Sequence, residues 1–314
     1  MGARKLAMAQ WDVFSAKALE GNSLAVFFDG SGLSDAEMQL IAREMNLSET
    51  TFIFPREKEV ERKRGIRVRI FTVHEELPFA GHPTLGTAFA LREAAAKIPA
   101  LAKSARSGAP GGTDGPSEIV LALNVGPVPV RFEDAAGQAV FGEMTQIDPT
   151  FGSSHDRDAV ARATGLRPED FDPSLPIQTV STGLAYIVTP LRSLEVIERL
   201  RLKANLAAEY LEKTDGKFFY FVARETVDAA ARLHVRMMFY NGEDPATGSA
   251  AGCGAAWMVQ HGVTQSDERV LIEQGIEMGR PSRIFVRAGR NGNRVVNVRV
   301  GGNAVEVLRG EVFL

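Results

Sequence analysis

The chain has 314 residues, 45% hydrophobic and 24% charged, which is the balance of a globular protein with room for two medium domains. Its formal net charge of −3 offers no basic field for nucleic acid or an anionic membrane, and no apolar run is long enough to span a bilayer. A single cysteine, Cys253, excludes an internal disulfide framework and a cysteine-cluster metal site. No metal is expected; residues 1–10 lack a signal-peptide hydrophobic block, so the cytoplasm is the expected compartment.

Gln10 to Phe14 alternates and is rich in bulky residues, which predicts a strand. Gly21-Asn22 marks a turn before a second apolar strand; the backbone reads as a plain hairpin, with Asn22 a candidate to line a cleft. Ser34 to Asn46 is a helix: Ser34 and Glu37 form a capping box, and Met38, Ile41, Ala42 and Met45 share one apolar face. Ser48 to Phe54 is a strand that carries a carboxylate, Glu49, at the start of an otherwise apolar run. Burying a charge is costly unless it is paired, so Glu49 either lies on an exposed edge or is held in a cleft for a reason. A further strand, Gly65 to Val73, leads through His74–Ala80 into Gly81-His82-Pro83-Thr84-Leu85-Gly86-Thr87-Ala88 and a helix over Thr84–Ala96. Lys103 to Ser117 is a Gly/Pro/Ser loop expected at the surface. Strands follow at Glu118–Leu123, Val128–Phe132 and Gln138–Met144.

The second half opens with a helix over Asp156–Thr164, ended by Gly165. Short strands at Gln178–Ser181 and Ala185–Val188 precede helical spacing at Leu194–Leu200 and Leu206–Leu211. Strands Phe218–Ala223 and Leu233–Phe239 lead to Glu243-Asp244-Pro245-Ala246-Thr247-Gly248-Ser249-Ala250, a polar loop feeding a helix over Ser249–His261. Four strands close the chain, at Arg269–Gln274, Arg283–Arg287, Val295–Val300 and Val305–Leu314. Each half thus offers one long helix sheltered by many strands, an α+β pattern. No Rossmann fingerprint or Walker loop is present.

The two polar loops repeat one another. His82 aligns with Asp244, Pro83 with Pro245, Gly86 with Gly248, Thr87 with Ser249 and Ala88 with Ala250, all at an offset of 162 residues. A half-chain repeat suggests two similar domains related by a pseudo-two-fold axis, with equivalent loops meeting in a cleft. The alternative is that Pro-x-x-Gly-Ser/Thr-Ala is only common helix-start chemistry. A helix start leaves N–H groups unbonded and carries partial positive charge, so Gly86-Thr87-Ala88 and Gly248-Ser249-Ala250 are expected to face an anion in one cleft. His82 and Asp244 are candidate site residues or simple caps, and Ser249 a site residue or helix-start chemistry. Cys253 sits among Ala and Gly and reads as packing; His74, His155, His234 and His261 show no ligand spacing.

Four motifs in order carry a resemblance: Asp12-Val-Phe with Gly21-Asn22, Asn46-Leu-Ser-Glu-Thr-Thr-Phe, Phe79-Ala-Gly-His-Pro-Thr-Leu-Gly-Thr-Ala, and Asp244-Pro-Ala-Thr-Gly-Ser-Ala. Through most of its length the chain resembles the phenazine-biosynthesis isomerase-like (PhzF-like) family. The resemblance implies a diaminopimelate-epimerase-like fold of two pseudo-symmetric domains, 1–126 and 127–304. Each would be a curved, mostly antiparallel sheet wrapped around a central helix, with segment 305–314 returning to the first domain and the active site between the two. The epimerase branch uses two cysteines, but here the matching positions are Gly81 or His82 and Asp244, so a two-thiol mechanism is not available.

The resemblance implies instead a cofactor-free isomerisation, with Glu49 as general acid and base moving a proton between carbons of a small unsaturated or hydroxy carboxylic acid. His82 would orient the substrate or share the proton, and Asp244 and Ser249 would hold the reacting groups. Asn22, Gly81, Gly86, Thr87, Ala88, Gly248 and Ala250 would line the substrate. The role asks for a carboxyl tuned to roughly pH 6–7, which burial near Asp244 would favour. The family commonly forms a homodimer. Two other readings are an epimerase or racemase of an amino-acid-like substrate, and a non-catalytic binding protein on the same fold.

Overall fold

A computed structural model describes residues 4–97, 115–134, 137–239 and 242–314. The chain forms two compact units, Met1–Thr145 with Gly301–Leu314, and Gln146–Val300.

The first unit contains β1 (Lys5–Val13), β2 (Asn22–Phe27), β3 (Glu49–Phe54), β4 (Ile66–Phe71), β5 (Glu76–Leu77), β6 (Glu118–Leu123), β7 (Gly126–Glu133) and β8 (Phe141–Thr145). The final strand, Ala304–Phe313, pairs antiparallel with β1. From there the ladder runs β1, β2, β3, β4, β6, β7, β8; β2/β3 and β4/β6 are parallel, and the other pairs are antiparallel. Helices α1 (Asp35–Met45), α2 (Lys58–Arg64) and α3 (Gly81–Lys97) complete the unit. Helix α3 packs against β1, β2, β3, β6, β7, β8 and the final strand. One sheet reaches a single helix with so many strands only by curling round it.

Helix α1 lies on another face. Ser34 caps it with the expected capping box, and Met38, Ile41 and Ala42 pack with Met8, Phe27, Phe52 and Phe71.

The second unit contains β9 (Thr150–Ser154), β10 (Gln178–Ser181), β11 (Ala185–Leu191), β12 (Phe218–Ala223), β13 (Ala231–Phe239), β14 (Gly242–Asp244), β15 (Val270–Gln274) and β16 (Ser282–Asn291). Its helices are α4 (Arg157–Thr164), α5 (Leu194–Glu198), α6 (Ala204–Leu211) and α7 (Gly248–Gln260). Pairing follows the scheme of the first unit: β10/β11 antiparallel, β11/β12 parallel, β12/β13 antiparallel, β13/β15 parallel and β15/β16 antiparallel. Helix α7 takes the place of α3, with residues 248–259 all buried. Its run of Gly and Ala lets strands approach on every side, so it shows no polar face. A second layer, α4 to α6, covers Ile187, Phe219 and Phe221 through Val160, Val196, Ile197 and Ala207.

The α+β class and the central helix of each unit agree with the sequence. Several details differ. The boundary between units falls at 145/146 rather than 126/127, because β7 pairs with β6 and β8 with β7. Helix α2 went unanticipated because Lys58–Arg64 buries no residue and so has no apolar period to read. Helix α3 starts at Gly81, not Thr84. Pro83 has no N–H to lose in a first turn, and Thr84 bonds Ala80 O through its N–H at 3.4 Å and its hydroxyl at 2.6 Å. Within the loop expected at Lys103–Ser117, 103–114 lie outside the described residues. Among the described residues, no helix is long and apolar enough to cross a membrane.

Candidate active site

In the first unit, Glu49, His82 and Asn22 meet. Glu49 opens β3 and is 7% exposed, which decides between the edge and the buried reading in favour of burial. Its ladder partner is Leu24, two residues beyond Asn22, the first residue of β2. His82 is the second residue of α3. Asn22 Nδ2 lies 3.2 Å from His82 Nδ1, and Glu49 Oε2 lies 3.4 Å from the same nitrogen.

The turn before Asn22 is pinned by Asp12. Its Oδ1 accepts the Ser23 hydroxyl at 2.8 Å and its Oδ2 accepts Leu19 N–H at 2.6 Å. Gly21 has φ +71°, and a Cβ there would sit 2.3 Å from Val13 O, so this corner requires glycine.

Burial pushes the His82 imidazole down to about 3, against the opposing pull of the Ser23 backbone. The ring is therefore neutral. Asn22 Nδ2 and His82 Nδ1 share a hydrogen bond whose direction follows the tautomer of the ring. Glu49 Oε2 faces the same nitrogen across 3.4 Å, a contact that is attractive when a proton lies between the two atoms.

The expected anion cradle at Gly86-Thr87-Ala88 is corrected by the register of α3. Because the helix begins at Gly81, these residues lie inside it, where their N–H groups belong to the helical ladder. Gly86 has a packing reason instead: a Cβ there would sit 2.6 Å from Val13 and 2.7 Å from Leu24. Thr87 shares a hydroxyl bond of 2.9 Å with Thr51. Ala88 is buried core. The first-turn amides of α3 are those of Gly81 and His82.

In the second unit, α7 starts at Gly248 and its first ladder bond is Ala251 N–H to Thr247 O at 2.9 Å. The amides of Gly248, Ser249 and Ala250 precede that ladder. Asp244 ends β14 and is 6% exposed; Thr247 donates its hydroxyl to Asp244 Oδ2 at 2.6 Å. Ser249 Oγ lies 2.7 Å from the Tyr186 hydroxyl.

This loop is held from behind. Gln274 Nε2 donates to Asp244 O at 2.7 Å and to Thr247 Oγ1 at 3.0 Å, and Gln274 Oε1 accepts Thr247 N–H at 3.1 Å. Ser282 donates to Pro245 O at 2.8 Å, and Gln146 donates to Gly248 O at 3.0 Å. No role for Thr247, Tyr186 or Gln274 follows from the sequence: Thr247 is one residue of the polar loop, and the other two lie on distant strands and carry no local signal.

Two flanking groups give testable outcomes. Cys253 is fully buried, its Sγ 3.6 Å from both Leu184 O and the Thr182 hydroxyl, and burial pushes the thiol up to about 12. A thiol so protected is a packing group. Cys253→Ala is expected to leave turnover unchanged, and iodoacetamide should not label the native protein; loss of activity at an unchanged melting temperature would restore a thiol to the mechanism.

His234, fully buried on β13, lies between Glu273 Oε1 and Glu277 Oε1, each at 2.8 Å. Burial lowers its pKa, but the hydrogen bonds and charges of Glu277 and Glu273 outweigh burial and hold it above 6.5. A raised folded pKa gives stability that is full below the unfolded value of 6.5 and lost as pH rises through the folded one. The urea midpoint should therefore fall from about pH 6 to about pH 9, and His234→Gln should flatten that fall. Equal slopes in the two proteins would remove His234 as the cause.

The family model described as phenazine biosynthesis-like protein (PhzC-PhzF) matches residues 11–310. An uncharacterised isomerase of Mesorhizobium japonicum is 37% identical, covering 97% of each chain. The trans-2,3-dihydro-3-hydroxyanthranilate isomerase of Pseudomonas aeruginosa is 33% identical over 96% of this chain and 98% of its own. A crystal structure of the Bacillus anthracis phenazine biosynthesis protein of the PhzF family superposes with a TM-score of 0.83 at 26% identity, covering 99% of this chain and 100% of that one.

Proposed function

Because the chain belongs to the phenazine biosynthesis-like (PhzC-PhzF) family, we propose that it is an isomerase in which Glu49 carries a proton between two carbons of a small unsaturated or hydroxy carboxylic acid. The observation that carries this reading is the buried contact of Glu49 with the neutral ring of His82.

As carboxylate, Glu49 removes a proton from a saturated carbon, and the C–H electron pair moves into the conjugated system of the substrate. His82 Nδ1, 3.4 Å from Glu49 Oε2, is placed to orient the carboxyl group as it takes up and returns the proton. Negative charge develops on the substrate's carboxylate end. The amides of Gly248, Ser249 and Ala250 and the Ser249 hydroxyl are the groups suited to stabilise it, with Gly81 and Asn22 lining the substrate. Asp244, fixed by Thr247 and Gln274, holds a polar group of the substrate. Glu49 then returns its proton to a second carbon, and the carboxylate is regenerated.

The β11/β12 ladder opens with the pair Tyr186 and Phe218, as β2/β3 opens with Leu24 and Glu49. Leu24 and Tyr186 are separated by the same 162 residues as the loops. Glu49 thus has an apolar counterpart, Phe218, which favours one carboxyl acting twice over two bases acting in turn.

The chemistry of the Pseudomonas aeruginosa relative supplies the first substrate to try. The protein would be incubated with trans-2,3-dihydro-3-hydroxyanthranilate in heavy water and the product read by mass spectrometry. Conversion is expected; neither conversion nor deuterium uptake would reject this substrate. The family resemblance also brings a homodimer and a cytoplasmic site into the proposal, and sedimentation velocity decides the first.

A further inference from the structure

We infer that Tyr186 is a positioning residue of this site, its hydroxyl fixing that of Ser249 so that Ser249 presents its own proton to the substrate. The inference rests on the function proposed above.

The hydroxyl pair is 2.7 Å apart, and Tyr186 and Ser249 are 1% and 4% exposed. A serine in a helix usually turns its hydroxyl back to a carbonyl of its own chain. Here a phenol from a neighbouring strand meets it. Tyr186 cannot easily swing away. Its backbone is paired with Val180 on one side and Phe218 on the other. Its ring lies against Phe218 and Tyr220, with centroids 6.0 and 6.5 Å away. A phenol is also a stronger acid than an aliphatic alcohol, so the favoured order has Tyr186 donating and Ser249 accepting. That order leaves the serine proton for a ligand.

The other half of the repeat shows why this pair differs. Thr87, the counterpart of Ser249, bonds Thr51, and Thr51 in turn reaches Ala25 O at 3.4 Å. That chain ends on a backbone carbonyl, and Thr51 and Thr87 are both fully buried. It runs inward and serves packing. Ser249 instead sits in the first turn of its helix, beside amides that precede the ladder.

The test is a double-mutant cycle of Tyr186→Phe and Ser249→Ala. Rates are read on trans-2,3-dihydro-3-hydroxyanthranilate, and binding of its aromatic analogue 3-hydroxyanthranilate is read by calorimetry. Removing one oriented hydrogen bond should lower kcat/KM and analogue affinity by up to about tenfold in the wild-type background. In the Ser249→Ala background, Tyr186→Phe should change neither. An equal loss in both backgrounds, or none in either, would overturn the inference. If the wild type does not convert the substrate, the proposed reaction fails, and the binding cycle still decides the role of Tyr186. Should Tyr186→Phe not fold, fluorotyrosine labelling alters the acidity of the phenol while keeping its contacts. The pH profile of analogue binding should then move in the wild type and stay fixed in Ser249→Ala; movement in both would count against Tyr186.

Discussion

Glu49→Gln is expected to remove turnover while leaving the melting temperature close to that of the wild type. General acid–base groups supply about 10²–10⁴ in rate, and an amide can neither take nor return the proton. Glutamine keeps the shape of glutamate, and its amide can donate or accept at His82 Nδ1, which lies 3.4 Å from Glu49 Oε2. The buried contact therefore survives while the chemistry does not. A variant that keeps more than about a tenth of the wild-type rate would remove Glu49 as the acid–base group. Because His82 is held neutral by burial, its pKa near 3, it should not produce a titration in the working pH range.

Gln274→Leu is expected to be the most damaging change for the fold around Asp244. Gln274 is fully buried and spends both ends of its amide on the loop, bonding Asp244 O, Thr247 Oγ1 and Thr247 N. Leucine fills a similar volume and removes all three bonds; Thr247 Oγ1 keeps its bond to Asp244 Oδ2, so the cost falls on Thr247 N–H and Asp244 O. A buried group that loses its partner costs about 1–3 kcal/mol, so a loss of about 2 kcal/mol or more is expected in urea unfolding. Catalysis should fall as well, because the same bonds fix the residues before α7. Ser282→Ala, which removes the hydroxyl shared between Pro245 O at 2.8 Å and Arg280 O at 3.1 Å, should cost less on both measures. Equal urea midpoints for Gln274→Leu and the wild type would show that the loop does not depend on this side chain.

Much of the architecture was legible because it rests on local signals. The capping box at Ser34 and Glu37, the apolar stripe of α1 and the stop of α4 at Gly165 each follow from neighbouring residues, and each is present. The β12 and β15 strands read clearly because buried strands are continuous apolar runs. The repeat of Pro83-x-x-Gly86 at Pro245-x-x-Gly248 pointed to two similar halves, and the strand pairing follows one scheme in both.

The same repeat also misled. Equal motifs suggested equal helix starts, but a helix begins where its backbone first closes hydrogen bonds, and Ala80 lets α3 begin five residues before Gly86. Hence Gly86 has a packing role, whereas Gly248 opens its helix.

By itself, then, the sequence determined the α+β class, the two-part plan, the small-residue central helices and the unusual carboxyl at the start of β3. These depend on residue type and short spacing, which a chain carries whether folded or not. Only the tertiary structure decided that Glu49 is buried against His82, that Asn22 bonds that ring, and that Gln274 and Tyr186 stand behind Asp244 and Ser249. Those relations join residues up to 63 positions apart, such as Tyr186 and Ser249, through strand register. A register is set by the summed packing of whole sheets, so no single stretch of sequence records it.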